Sequence, residues 1–154
     1  MPISRRFAPI LALCLAGPVV QPAMAAEGWT GQAVGGSGRS AGYLLGDATP
    51  ALLFRCAGAG RLALVVSGGA GLPRDADYTV VVSVDGVAFI AAARSGATAS
   101  GELVRIAPFE AFSPLIAALK AGKAAEVSTP RGRYVLPLRG SGKALAVLGD
   151  GCDV

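Results

Sequence analysis

Histidine is absent from all 154 residues. That absence excludes Ser-His-Asp and Cys-His nucleophilic arrangements and any histidine-based zinc, copper or haem site. Cysteine is scarce as well: of three in the chain, only Cys56 and Cys152 lie beyond the N-terminal apolar run. Two thiolates fall short of a zinc tetrad. No metal and no cofactor is therefore expected. The stretch Arg139-Gly140-Ser141-Gly142-Lys143-Ala144 has the look of a phosphate loop but lacks its parts. Pro137 stands where the first glycine belongs, and Ala144 replaces the magnesium-binding hydroxyl. Paired carboxylates for a glycosidase are not evident either, since Asp75, Asp77, Asp85 and Glu102 fall at turns or strand ends. One enzymatic option survives, a serine activated by lysine, using Ser141 or Ser100 with Lys143 or Lys120. Ser141 and Lys143 are too close in sequence to favour it.

The N-terminus has the three parts of a secretory signal. Arg5 and Arg6 precede the apolar run Phe7–Ala16, and Ala23-Met24-Ala25 offers a small-x-small cleavage site. Cys14 sits mid-run, behind Leu13, which argues against a lipidation box. Cleavage after Ala25 leaves 129 residues with a net charge of +2. Nothing after the signal approaches the roughly 20 apolar residues that a membrane-spanning helix needs. A periplasmic or secreted product is expected, and its two remaining cysteines then argue for a Cys56–Cys152 disulfide; two free thiols are the alternative. Both cysteines follow inward-facing positions, Cys56 after Leu52 and Phe54, Cys152 after Leu145 and Leu148.

Residues 26–50, rich in glycine and serine between Val34 and Gly42, suggest a flexible segment. A single disulfide-linked β-rich domain is expected over 51–154. Leu52, Phe54 and Cys56 share one face of a strand, and Leu62, Leu64 and Val66 share one after a four-residue glycine loop. Tyr78–Ala93 predicts a hairpin about Asp85-Gly86, because both turn residues need positive φ; Val82 then lies across from Phe89. A strand over Glu102–Ala107 leads to a short helix capped by Ser113, with Pro114 at its first position and Gly122 after its last turn. A hairpin of Ala124–Thr129 and Arg133–Leu138 follows, then a helical turn or two over Gly142–Leu148 capped by Ser141. The fold class is α+β: antiparallel hairpins forming a small sandwich or partly open barrel, with two short C-terminal helices.

Positive charge gathers late in the chain. Residues 120–143 carry Lys120, Lys123, Arg131, Arg133, Arg139 and Lys143 against Glu126 alone, a net of +5. These six are a candidate surface for an anionic partner such as a glycan or lipid headgroup; a merely solvated face is the alternative.

The run Leu115–Lys123, then Val127 to Leu138 and on to Ala144-Leu145, resembles the C-terminal half of the invasion-associated locus B family of small exported proteins. Leu53-Phe54-Arg55-Cys56 with Gly140–Cys152 is similar to the type VI secretion-associated VasI group. The same Leu53–Cys56, taken with Asp85-Gly86 and Ser100-Gly101, resembles periplasmic C-type lysozyme inhibitors. All three resemblances imply a non-catalytic protein. The expectation is an accessory or interaction protein of the bacterial envelope, invasion- or secretion-associated. Its partner would be an envelope or host protein or an anionic surface, with no nucleic acid. A lysozyme-inhibitor-like binder, or less readily a serine–lysine hydrolase, is the alternative.

Overall fold

Period-two alternation of apolar and polar residues organises most of the chain, which is the pattern of strands with one face buried. The computed structural model describes residues 27–34, 38–96, 101–149 and Cys152. The strands are β1 (Gly28–Val34), β2 (Gly38–Leu44), β3 (Pro50–Cys56), β4 (Arg61–Ser67) and β5 (Asp77–Val84). They continue with β6 (Val87–Ser95), β7 (Glu102–Pro108), β8 (Ala124–Thr129) and β9 (Gly132–Pro137). All nine join one antiparallel sheet in the order β1-β2-β3-β4-β7-β6-β5-β8-β9. The sheet curls into a half-barrel, so the partly open barrel is observed and the sandwich is not. Helix α1 (Phe109–Ala121), helix α2 (Ser141–Leu145) and a 3₁₀ turn (Ala146–Leu148) complete the fold. Neither helix is long and apolar enough to cross a membrane.

The concave face holds the core. Leu52 and Phe54 of β3, Leu62, Leu64 and Val66 of β4, and Val80 and Val82 of β5 are fully buried there. Phe112, Leu115, Ile116 and Leu119 of α1 and Leu145 and Leu148 cover them. The expected pairing of Val82 with Phe89 holds, and in the β3–β4 hairpin Phe54 faces Leu64 and Cys56 faces Leu62. Asp85 and Gly86 both take positive φ, 47° and 89°, as a tight hairpin turn with right-handed strand twist requires.

Two expectations need correction. Of the expected flexible lead-in (26–50), the described stretches Gly28–Val34 and Gly38–Leu44 are part of the sheet: β1 and β2 pair along their length, Trp29 with Tyr43 and Gly31 with Ala41, and β2 continues the sheet onto β3. Glycine serves packing here. A Cβ on Gly31 would collide with the Ala144 carbonyl, so its absence lets β1 lie directly on α2. The sheet therefore begins at Gly28, not at residue 51.

Helix α1 also starts earlier than the Ser113 cap implied. Its N-cap is Pro108, and both Ser113 and Pro114 lie inside it. Phe112 extends the stripe to Phe112, Leu115, Ile116 and Leu119, an i, i+3, i+4, i+7 series. Burying that fourth apolar residue outweighs the one backbone bond that Pro114 cannot donate.

Side chains draw the ends of the half-barrel together. Trp29 Nε1 donates to Pro137 O at 2.7 Å, linking β1 to the end of β9. The Tyr134 hydroxyl donates to Ala51 O at 2.6 Å. Burial pushes the Tyr134 phenol up. Tyr43, edge-on to Trp29 at 5.9 Å, donates to Glu27 Oε1 and is raised by burial and by that carboxylate.

Candidate functional site: a breach in the sheet

The sheet is not continuous between β6 and β7. Only Arg94 with Val104 and Ser95 with Leu103 are paired, while β6 continues back to Val87 and β7 onward to Pro108. The hydrogen-bond phase shows which groups this leaves facing the gap. Gly96 donates to Glu102 O, and Phe109 donates across to Gly60 O on the β4 side. Peptide groups of an antiparallel strand alternate between neighbours, so Glu102, Val104 and Ile106 turn toward β6. On β6, Ala92 O accepts from Arg105, so Ala88, Ile90 and Ala92 turn toward β7. Ala88 and Ile90 have no strand partner there among the described residues.

The local sequence explains the splay. In the register of the paired residues, Ile90 would meet Pro108, which has no N–H to offer. Ala88 would meet Glu110, already inside α1. Arg105 finishes the separation. It stands opposite Leu64 in β4 and so enters on the core side, between the inward positions Leu103 and Ala107. An inward-pointing charge is a recurrent device for keeping strand edges apart.

A cavity of about 130 Å³ lies in the breach. Leu64, Val82, Phe112 and Leu115 form its floor, Phe89 and Ala91 one wall, and Ile90, Ala111 and Arg105 its mouth. Ile90, in the outward phase between Phe89 and Ala91, is 75% exposed beside the gap. Arg105 Nη1 spends one weak bond on Ala92 O at 3.3 Å. No carboxylate among the described residues forms a salt bridge with it. Sequence reasoning passed over both residues. The available signal was an arginine in the inward phase of an otherwise apolar strand.

The cysteines are brought together: Cys56, at the end of β3, is bonded to Cys152, with Cα atoms 5.3 Å apart. The bond ties Cys152, beyond the 3₁₀ turn, to the end of β3.

The six late basic residues divide into two groups. Arg131 and Arg133 lie at the β8–β9 turn, where Arg133 meets Glu126 at 3.6 Å and Arg131 Nη2 lies against Gly71. Lys120, Lys123, Arg139 and Lys143 gather at the opposite end, some six residues of strand away, or about 20 Å. Their backbone neighbours interlock there: Leu138 donates to Lys123 O, and Ser141 Oγ contacts Leu119 O and Leu138 O. Asp85 shares that corner, accepting from the amides of Lys123 and Ala124.

Ser141 does not cap α2, whose N-cap is Gly140. It is 1% exposed with its hydroxyl committed to two carbonyls, while Lys143 is exposed. That arrangement takes Ser141 out of any serine–lysine pair. Ser100, Cys14 and the cleavage site after Ala25 lie outside the described residues.

Fold and site together define a single disulfide-tied half-barrel whose sheet is open at one internal seam. No protein family matches the sequence, and no curated protein matches it. Among solved structures, the chain is similar to invasion associated protein B from Bartonella henselae, at 18% identity and a TM-score of 0.39, over 71% of this chain and 72% of that one.

Proposed function

We propose that this is a non-catalytic, exported interaction protein of the bacterial envelope, and that it engages a protein partner at the β6–β7 breach. The observation that carries the reading is the edge at Ala88 and Ile90, without a strand partner among the described residues, beside a cavity whose guanidinium meets no carboxylate among them. Unpaired strand edges and exposed apolar side chains are costly to keep, and natural sheets usually cover them. Retaining both at one place fits a surface that a partner covers. The Cys56–Cys152 bond supports an oxidising compartment. An association with invasion or secretion rests on the residue resemblances alone.

The test is a photo-crosslinking side chain at position 90, with Thr79, exposed on β5, as control. A discrete protein adduct from position 90 and none from position 79 is expected in envelope fractions. Adducts absent from 90, or equal at both, would contradict the reading. Labelling by a serine-reactive probe would favour the hydrolase.

A second reading concerns the corner of Lys120, Lys123, Arg139 and Lys143. Lys143 lines a shallow hollow there with Trp29, Gly31 and Val147. Four cations at one corner suit an anionic surface. Changing these four to glutamine should weaken binding to phosphatidylglycerol vesicles at low salt, whereas changing Arg131 and Arg133 should not.

A further inference from the structure

The breach is blind at one end. Beyond Ala92 the strands rejoin at Arg94 and Val104, and the Arg105 guanidinium sits at that junction, on Ala92 O. A chain laid along β6 toward this junction has to stop there.

Three properties describe what stops. The peptide groups of Ala88 and Ile90 face the gap without a strand partner among the described residues, and an extended backbone is what satisfies such an edge. The cavity of about 130 Å³ is close to the roughly 150 Å³ that accepts benzene, so it suits one apolar side chain. Among the described residues Arg105 bonds only Ala92 O, which leaves N–H donors in the fork that matches a carboxylate.

We propose that the breach takes the carboxyl-terminal segment of another polypeptide. The segment adds along β6, its last apolar side chain enters the cavity, and its α-carboxylate meets Arg105. This rests on the reading of the protein as an interaction module. An internal acidic strand fits less well, because its chain would run on into the closed ladder.

The test is a pool of random heptapeptides, prepared with free and with amidated carboxyl termini and passed over the full, disulfide-bonded protein. The free pool should be retained at least about tenfold better, because charge-assisted hydrogen bonds are the strong ones. Its bound peptides should be enriched in Leu, Val or Phe at the last position. Arg105→Gln should erase the preference for a free terminus. Ile90→Glu, on an exposed edge, should weaken retention of every peptide while leaving the melting temperature unchanged. Equal retention of both pools, a preference that survives Arg105→Gln, or no retention at all would overturn the proposal. Equal retention that Ile90→Glu still abolishes would overturn the carboxyl-terminal proposal while leaving β6 as a peptide-binding edge. Absent crosslinks from position 90 would remove the interaction reading as well.

Discussion

Ser141 Oγ lies 2.7 Å from Leu119 O, and so closes the helix before it instead of opening the helix that contains it. Leu119 O is one of the last carbonyls of α1, which have no partner inside the helix. Ser141→Ala leaves that carbonyl buried without a donor. Urea unfolding should show a loss of about 1–3 kcal/mol. A loss below about 0.5 kcal/mol would mean that water replaces the hydroxyl.

The disulfide spans 96 residues of sequence, and closing so long a loop restrains the unfolded chain. Replacing Cys56 and Cys152 by alanine should cost about 2–5 kcal/mol. Amides of the 3₁₀ turn Ala146–Leu148 should then exchange before those of β3 and β4. Non-reducing peptide mapping of the protein purified without reductant should show the Cys56–Cys152 link; free thiols at both positions would contradict it.

Trp29 tests the corrected boundary of the sheet. Trp29→Phe keeps a ring beside Tyr43 but removes the N–H that Pro137 O accepts. About 1 kcal/mol should be lost. Deleting residues 27–44 should unfold the protein, since Ala41 and Tyr43 belong to the core. A deletion that melts like the full chain would restore the flexible lead-in.

Stability should vary little between about pH 6 and 9, because no histidine titrates there. Tyr43 and Tyr134 are both raised above the ordinary 10.0. The folded state thus holds these protons more tightly than the unfolded chain. Their contribution is full below about pH 10 and is lost as pH rises through the folded values. Tyr43→Phe with Tyr134→Phe should flatten that alkaline limb in a pH series of melts. Asp77, lowered mainly by its bond from Arg94, acts at the other end, its small contribution fading as pH falls below 3.8.

The hairpins were legible because their signals are local. Asp85-Gly86 sets the β5–β6 turn, and with it the Val82–Phe89 register, from adjacent residues alone. β1 and β2 were hidden by composition: Gly31 and Gly42 are there for close approach to Ala144 and β3, and a glycine-rich run looks flexible until that neighbour is known. The start of α1 was hidden by Ser113-Pro114, a good local start signal overridden by burial of Phe112. The breach was least visible of all. It depends on β6 lying next to β7 and on Pro108 falling opposite Ile90, relations that no single segment contains.

The breach itself is most directly tested by amide hydrogen exchange, residue by residue, along β6 in the free protein. Phe89 and Ala91 turn their amides to β5 and should be protected with the core. Ala88 and Ile90 turn theirs to the gap and should exchange orders of magnitude faster, at rates near those of exposed loops. Protection of Ala88 and Ile90 equal to that of Phe89 and Ala91 would mean that β6 and β7 are zipped closed, and the site described here would not exist.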